Sequence, residues 1–214
     1  MNQAQDAAPA LPQVVSADEW QRSRDELMVL EKAATRSLDA VAARRRRLPM
    51  VRFSDYVFTT ATGTTTLREL FGGNHQLAVY QFMDVGPDGY CPGCTAFTRN
   101  VVDLETIAEA GISWATASEM PIEQIEVLKA REGWTLPFVS SRGTTFYQDC
   151  GGAGGFMLNV FLRDGDDIYR TYTTTSRGVD RLMFLHNVLD LAPYGRQQDW
   201  EDSPEGWPQE PTYG

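Results

Sequence analysis

The tetrapeptide Cys91-Pro92-Gly93-Cys94 constrains the fold more than any other feature, because of what lies on either side of it. Before it, Leu77 to Met83 is a compact run without charge, suited to a buried central strand. A loop, Asp84 to Tyr90, leads on to Cys91. After it, Thr95 to Ala110 carries Phe97, Val101, Leu104 and Ile107 or Ala108 at helical spacing. Strand, loop and helix together put two cysteines, three residues apart, at a helix start. Unpaired backbone N–H groups and the helix dipole favour a thiolate there. Such positions lower a cysteine pKa from about 8.5 to anywhere in roughly 3.5–7.5. Pro92 suits the first helical turn, where its missing N–H costs nothing.

The rest of the chain supplies the partners for this unit. Ser16-Ala17-Asp18-Glu19 is a capping box. Beyond it Trp20, Leu27, Ala34 and Val41 recur every seven residues, Leu30 and Leu38 widen the stripe, and no Gly or Pro intervenes before Pro49. This predicts one amphipathic helix of about 30 residues, roughly 45 Å long. It is long enough to pack along the body or against a second subunit. Val51 to Thr60 predicts a strand, and Thr62-Gly63 a turn. Thr66 can cap a short helix, Leu67 to Phe71, that Gly72-Gly73 ends. Ile112 to Ala117 predicts a second buried strand. Pro121 starts a helix over Ile122 to Arg131, closed by Gly133. Phe138 to Ser140 predicts a third strand, and Gly143 to Gly155 an irregular Gly-rich stretch. Phe156 to Arg163 and Ile168 to Thr175 form a hairpin through Asp164-Gly165. Asp180 to Leu189 is the closing helix.

From Leu77 the order is β-α-β-α-β, then a hairpin, then a helix. That is the plan of a thioredoxin-like α/β fold with a central mixed sheet, and the dithiol falls at the start of the helix after the first central strand. A long N-terminal helix and an irregular acidic C-terminal tail flank it. The expected division is 1–50 for the helical extension, 51–196 for the thioredoxin-like domain and 197–214 for the Trp- and Pro-rich tail.

Composition narrows the function. A net charge of -10 argues against a general nucleic-acid binder. From Gln197 onward there are five acids and no Lys or Arg, so the tail holds half of that charge. Arg44-Arg45-Arg46-Arg47 reads as the solvated C-terminal end of the long helix, where cations suit the dipole, rather than as an anion or RNA patch. The apolar runs are too short to span a bilayer, so no membrane partner is expected. Met1 to Pro12 has neither a basic segment nor an apolar one, so no secretory signal is expected. Three cysteines in 214 residues are too few for a disulfide scaffold, which suggests the cytoplasm.

The chemistry that fits is thiol–disulfide exchange. Cys91 would attack an oxidised sulfur, in a small molecule or a protein, and the more buried Cys94 would resolve the mixed disulfide. Tyr90, Pro92 and Gly93 would shape the site. Cys150, in the Gly-rich stretch before the hairpin, is a candidate auxiliary thiol or an incidental one. Zinc needs about four ligands, and the other candidates, Cys150, His75 and His186, are scattered singly. No metal and no cofactor are expected. The five tryptophans, Trp20, Trp114, Trp134, Trp200 and Trp207, read as packing residues. Two other readings remain open: a thioredoxin-fold binding module, and a metal or small-ligand carrier using the cysteines. The long helix makes a homodimer plausible.

Many segments carry a family resemblance. They include Val15-Ser16-Ala17-Asp18-Glu19-Trp20, Arg47-Leu48-Pro49, Asp55-Tyr56-Val57-Phe58 and Leu67-Arg68-Glu69-Leu70-Phe71. Gly86-Pro87 with Cys91-Pro92-Gly93-Cys94 looks like a central motif. Further matches are Gly133-Trp134, Pro137-Phe138-Val139-Ser140-Ser141, Arg177-Gly178-Val179-Asp180 and Asp190-Leu191-Ala192-Pro193-Tyr194-Gly195-Arg196. Across nearly its whole length the chain resembles the bacterial domain-of-unknown-function family eight-nine-nine. Its members are described as predicted dithiol-disulfide oxidoreductases with a thioredoxin-like fold, so the resemblance implies the fold and the dithiol. The chain departs from the pattern in places. The family often carries His where this chain has Gln81. Thioredoxins place a cis-Pro just before the hairpin, where this chain has Gly154 or Gly155. Peroxiredoxins have a Thr where this chain has Asp88.

Overall fold

The computed structural model describes residues 10–209 except Ala153. In chain order the elements are α1 (Ala17–Arg45), β1 (Val51–Phe53), β2 (Val57–Thr60), β3 (Gly63–Thr66), β4 (Gln76–Phe82), α2 (Pro92–Arg99), α3 (Leu104–Glu109), β5 (Ile112–Ser118), α4 (Ile122–Glu132), β6 (Phe138–Ser140), α5 (Phe146–Asp149), β7 (Met157–Asp164), β8 (Asp167–Thr174) and α6 (Phe184–Leu189). Short 3-10 turns cover Glu69–Phe71 and Ser176–Leu182. The chain forms two compact units. One is Leu48–Met183; the other joins the N-terminal stretch to Phe184 and the residues after it. The last helix, α6, groups with the N-terminal unit.

The Leu48–Met183 unit is built on one mixed sheet of eight strands, in the order β1-β8-β7-β4-β5-β6-β2-β3. β4, β5 and β6 run parallel, joined through helices. β7 is antiparallel to β4, and β8 to β7. The thioredoxin core is thus β4-α2-β5 with the β7–β8 hairpin, and β4 lies at its centre. Every residue of β4 after Gln76 is buried. Alternation along β4 divides the apolar interior between the two faces of the sheet. Ala78, Tyr80 and Phe82 pack with Phe97, Ile125, Leu128 and Leu158 on one face. Leu77 and Val79 pack with Phe58, Phe71, Phe146 and Phe161 on the other. The Tyr80 and Phe97 rings stack 4.1 Å apart at 20°, clamping α2 to β4. Such a pair adds about 0.5–1.5 kcal/mol beyond its burial.

Several predicted elements are broken in the structure, each for a local reason. The expected strand Val51–Thr60 is two strands at opposite sides of the sheet: β1 pairs with β8, and β2 with β6 and β3. Asp55 accepts from the Arg68 amide at 3.0 Å and redirects the chain between them. The helix expected to run from the dithiol through Ala110 starts at Pro92 as expected but breaks after Arg99. The Asn100 side chain takes the Ala96 carbonyl at 2.8 Å. Asp103 adopts φ 55 and caps a new helix by accepting from the Thr106 amide. Side chains that bond the local backbone compete with helix propagation in this way. The Gly-rich stretch contains one helical turn, α5, and the expected closing helix is a 3-10 turn followed by α6.

The second unit contains α1, whose capping box is formed as the sequence predicts. Ser16 Oγ accepts from the Glu19 amide at 3.3 Å, and Glu19 accepts from the Ser16 amide at 3.0 Å. No residue of α1 is buried. Trp20 and, in the tail, Trp200 are exposed rather than packed; Trp114 and Trp134 pack against the interior as expected. Residues 197–209 form no helix or strand, yet they are pinned within their own unit. Trp207 meets Tyr194 edge-on at 5.3 Å, and the Glu201 carboxylate accepts from the amides of Arg196 and Gln198. Residues 1–9 and 210–214, on which parts of the N-terminal and tail readings fall, lie outside the described residues. No described helix is long and apolar enough to cross a membrane.

Candidate functional site

The dithiol lies where β4 hands over to α2. Its approach loop is held from two sides. Asp84 accepts from the Gly86 amide at 2.8 Å, in a turn that puts Gly86 at φ 97. That turn suits a residue without a Cβ. Gln124 of α4 donates to the carbonyl of Gly86 at 2.9 Å and leans on that of Gly89 at 3.3 Å. Tyr90 donates its hydroxyl to the Gln124 carbonyl at 3.1 Å, and the Arg131 guanidinium sits 4.7 Å from its ring centre. Both Tyr90 contacts therefore fall on α4. The residue ties the loop before Cys91 to α4.

Cys91 is the N-cap of α2 and Pro92 its first helical residue, as the sequence predicts. The Cys94 amide donates to Cys91 Sγ at 3.2 Å. The Cys91 carbonyl accepts from the Thr95 amide at 3.0 Å and from its hydroxyl at 2.9 Å. The Cys91 thiol is pulled down to about 6. Its interaction with the Cys94 thiol is the main cause, and the N–H groups of Cys94 and Gly93 add to it against the cost of burial. Cys94 moves the opposite way. The neighbouring Cys91 sulfur and full burial push it up, although the Tyr80 hydroxyl and the Met83 amide, at 3.5 Å from its sulfur, favour its charged form. One sulfur is thus poised as a thiolate at neutral pH, and the other is held as a thiol behind it.

Three residues outside the predicted set also lie at the candidate site. Tyr80 faces Cys94 from β4, and burial pushes its phenol up. Met83 touches both sulfurs: its amide points at Cys94, and its thioether lies 3.8 Å from Cys91 Sγ. Gln124 pins the loop. The signal for Tyr80 was present in the two-residue alternation of β4, which places it on the same face as Phe82. Met83 and Gln124 depend on loop geometry, for which the sequence carries no pattern.

Cys150 does not join the dithiol. It is buried in the aromatic cluster on the other face of the sheet. Burial pushes its thiol up to about 12, against the favourable influence of Arg170 and Gln81. The sequence placed it in a stretch before β7, but α5 turns it toward Phe146 and away from α2. The histidines have local partners within their own units. His75 lies near the Arg163 carbonyl, and His186 of α6 meets Arg196 at 3.2 Å. Among the described residues no three His, Cys, Asp or Glu side chains are grouped so as to hold a metal ion.

The model of one protein family matches residues 9–213. The chain belongs to that family, the bacterial proteins of unknown function (DUF899). No curated protein matches it. Solved structures that it resembles include a hypothetical protein from Sinorhizobium meliloti, at 17% identity and TM-score 0.44, covering 59% of this chain and 69% of that one. Another is the peroxidoxin BcpB of Mycobacterium tuberculosis, at 16% and 0.47, covering 63% and 93%. A third is peroxiredoxin Q of Xanthomonas campestris, at 18% and 0.40, covering 59% and 85%. The thioredoxin-like assignment of this DUF899 protein rests on its own strand order and on the dithiol at the start of α2.

Proposed function

We propose that this protein is a thiol–disulfide oxidoreductase in which Cys91 attacks and Cys94 resolves. The observation that carries this reading is the opposite bias of the two sulfurs across one helix cap. The thiolate is the attacking species in exchange, and Cys91 is the sulfur whose charge the cap favours. Cys91 would form a mixed disulfide and release a thiolate. Cys94, three residues on and buried behind it, would then lose its proton and attack the Cys91 sulfur. The product is a Cys91–Cys94 disulfide, with two electrons passed to the substrate. A thiol system such as glutathione or thioredoxin would return the protein to its dithiol form. A reducing compartment, the cytoplasm, suits this cycle.

Trapping tests the reading. Cys94→Ser removes the resolving sulfur and leaves the Cys91 cap in place. The variant should retain its substrate as a mixed disulfide on Cys91, visible by mass spectrometry and released by reductant. No adduct on Cys91, from cells or with added disulfides, would count against it.

A further inference from the structure

A shallow cleft at the carboxyl ends of β4 and β5 has a volume of about 50 Å³, enough for one small polar group. Carboxyl ends of parallel strands are where open α/β sheets bind ligands. Gln81, Met83, Asp84, Ser118, Glu119 and Ser141 are among the residues lining it. Gln81 is only 3% exposed, and its amide has no nitrogen or oxygen partner, although it lies beside the Cys150 sulfur. A buried amide without nitrogen or oxygen partners is costly to leave unpaired, so a ligand that bonds it is favoured. The charges have one sign. Asp84 accepts from the Gly86 amide and Glu119 from the Gln148 side chain, both neutral donors. Neither carboxylate is ion-paired with a cationic side chain among the described residues. Met83 joins the cleft to the dithiol, since its thioether also lies 3.8 Å from Cys91 Sγ.

We propose that this cleft binds the ammonium group of a small aminothiol disulfide, with Gln81 as a neutral hydrogen-bonding partner and Asp84 and Glu119 as the charge complement. The substrate's sulfurs then lie toward Cys91 across Met83. The proposal rests on the oxidoreductase reading and names its substrate class. The Cys91 thiolate attacks one sulfur of the disulfide, forming Cys91–S–S–R and breaking the substrate S–S bond. The departing aminothiolate takes the proton of Cys94. The Cys94 thiolate attacks the Cys91 sulfur, closes the intramolecular disulfide and releases the second aminothiolate. Two electrons leave the protein dithiol and two thiols form from one disulfide, with no other reactant.

The test is single-turnover oxidation of the reduced full-length protein by three small disulfides. These are cystamine (cationic), bis(2-hydroxyethyl) disulfide (neutral) and dithiodiglycolate (anionic). Each rate is divided by that of 2-mercaptoethanol with the same disulfide, which removes intrinsic leaving-group differences. Cystamine should lead the neutral compound by about tenfold, the scale of one ion pair at a partly exposed site, and the anion should come last. Glu119→Gln should lose most of that preference. Glu105→Gln, on exposed α3, removes the same charge elsewhere and should keep it. Equal handling of cystamine and the neutral disulfide, or the same loss in both variants, would overturn the ammonium site while leaving the oxidoreductase reading in place. Failure of all three disulfides to oxidise the dithiol would overturn both.

Discussion

The amide of Cys94 donates to the sulfur of Cys91 at 3.2 Å, across the first turn of α2. The same residue that would resolve the reaction thereby helps to hold the attacking sulfur charged. Its own sulfur stays a buried thiol until an intermediate forms.

The Cys91 thiol should titrate near 6. Alkylation by iodoacetamide, followed by mass spectrometry of the modified peptide, should rise with a midpoint about that pH. Modification should fall on Cys91 and spare Cys94. A midpoint near the unperturbed value of about 8.5 would remove the electrostatic basis of the mechanism.

Stability of the reduced protein should follow the same group. Cys91 has a folded-state pKa below its unfolded value, so its contribution is fully present above about pH 8.5. It is lost as pH falls through about 6. Urea unfolding of the reduced protein, compared with Cys91→Ser, should show a difference that grows from pH 6 to 8.5, on the order of 1–3 kcal/mol. Cys94 does not offset this within the window, because its pKa is displaced upward and it is mainly a thiol in both states until pH nears the unfolded value of about 8.5.

Tyr80→Phe should separate resolution from attack. The ring that stacks on Phe97 remains, and the hydroxyl that favours a Cys94 thiolate is lost. The Cys91 alkylation midpoint should be nearly unchanged. The mixed disulfide should persist several-fold longer in rapid-quench experiments, and stability should change by about 1 kcal/mol or less. Tyr80→Ala, which empties a buried ring site, should instead cost about 3–5 kcal/mol.

Cys150→Ala should leave both the Cys91 titration and dithiol oxidation as they are, because its sulfur lies across the sheet from α2. A slowed resolution step or a Cys150 disulfide under mild oxidation would contradict that placement.

The legible parts of the fold were those that local chemistry dictates. The α1 cap, the buried β4, the Asp164-Gly165 turn and the Cys91-Pro92 helix start each rest on residues adjacent in sequence, and each forms where expected. The misread parts depend on competition or on distance. Asn100 and Asp103 bond the backbone around them and end a helix that apolar spacing alone would continue. β1 and β2 share one β-like run, but their partners, β8 and β6, lie far along the chain. Within the site, Cys91, Cys94, Pro92 and Tyr90 were readable as a contiguous motif. Tyr80, Met83 and Gln124 reach it only through the fold, and Cys150 was placed by chain position when the face of the sheet decides.

The most direct test of the dithiol is its redox equilibrium. The purified protein, equilibrated in buffers poised between about -120 and -320 mV, should pass from two free thiols to one Cys91–Cys94 disulfide in a single two-electron transition, read by mass spectrometry after acid quench. A dithiol that stays reduced across that whole range would contradict the proposed function.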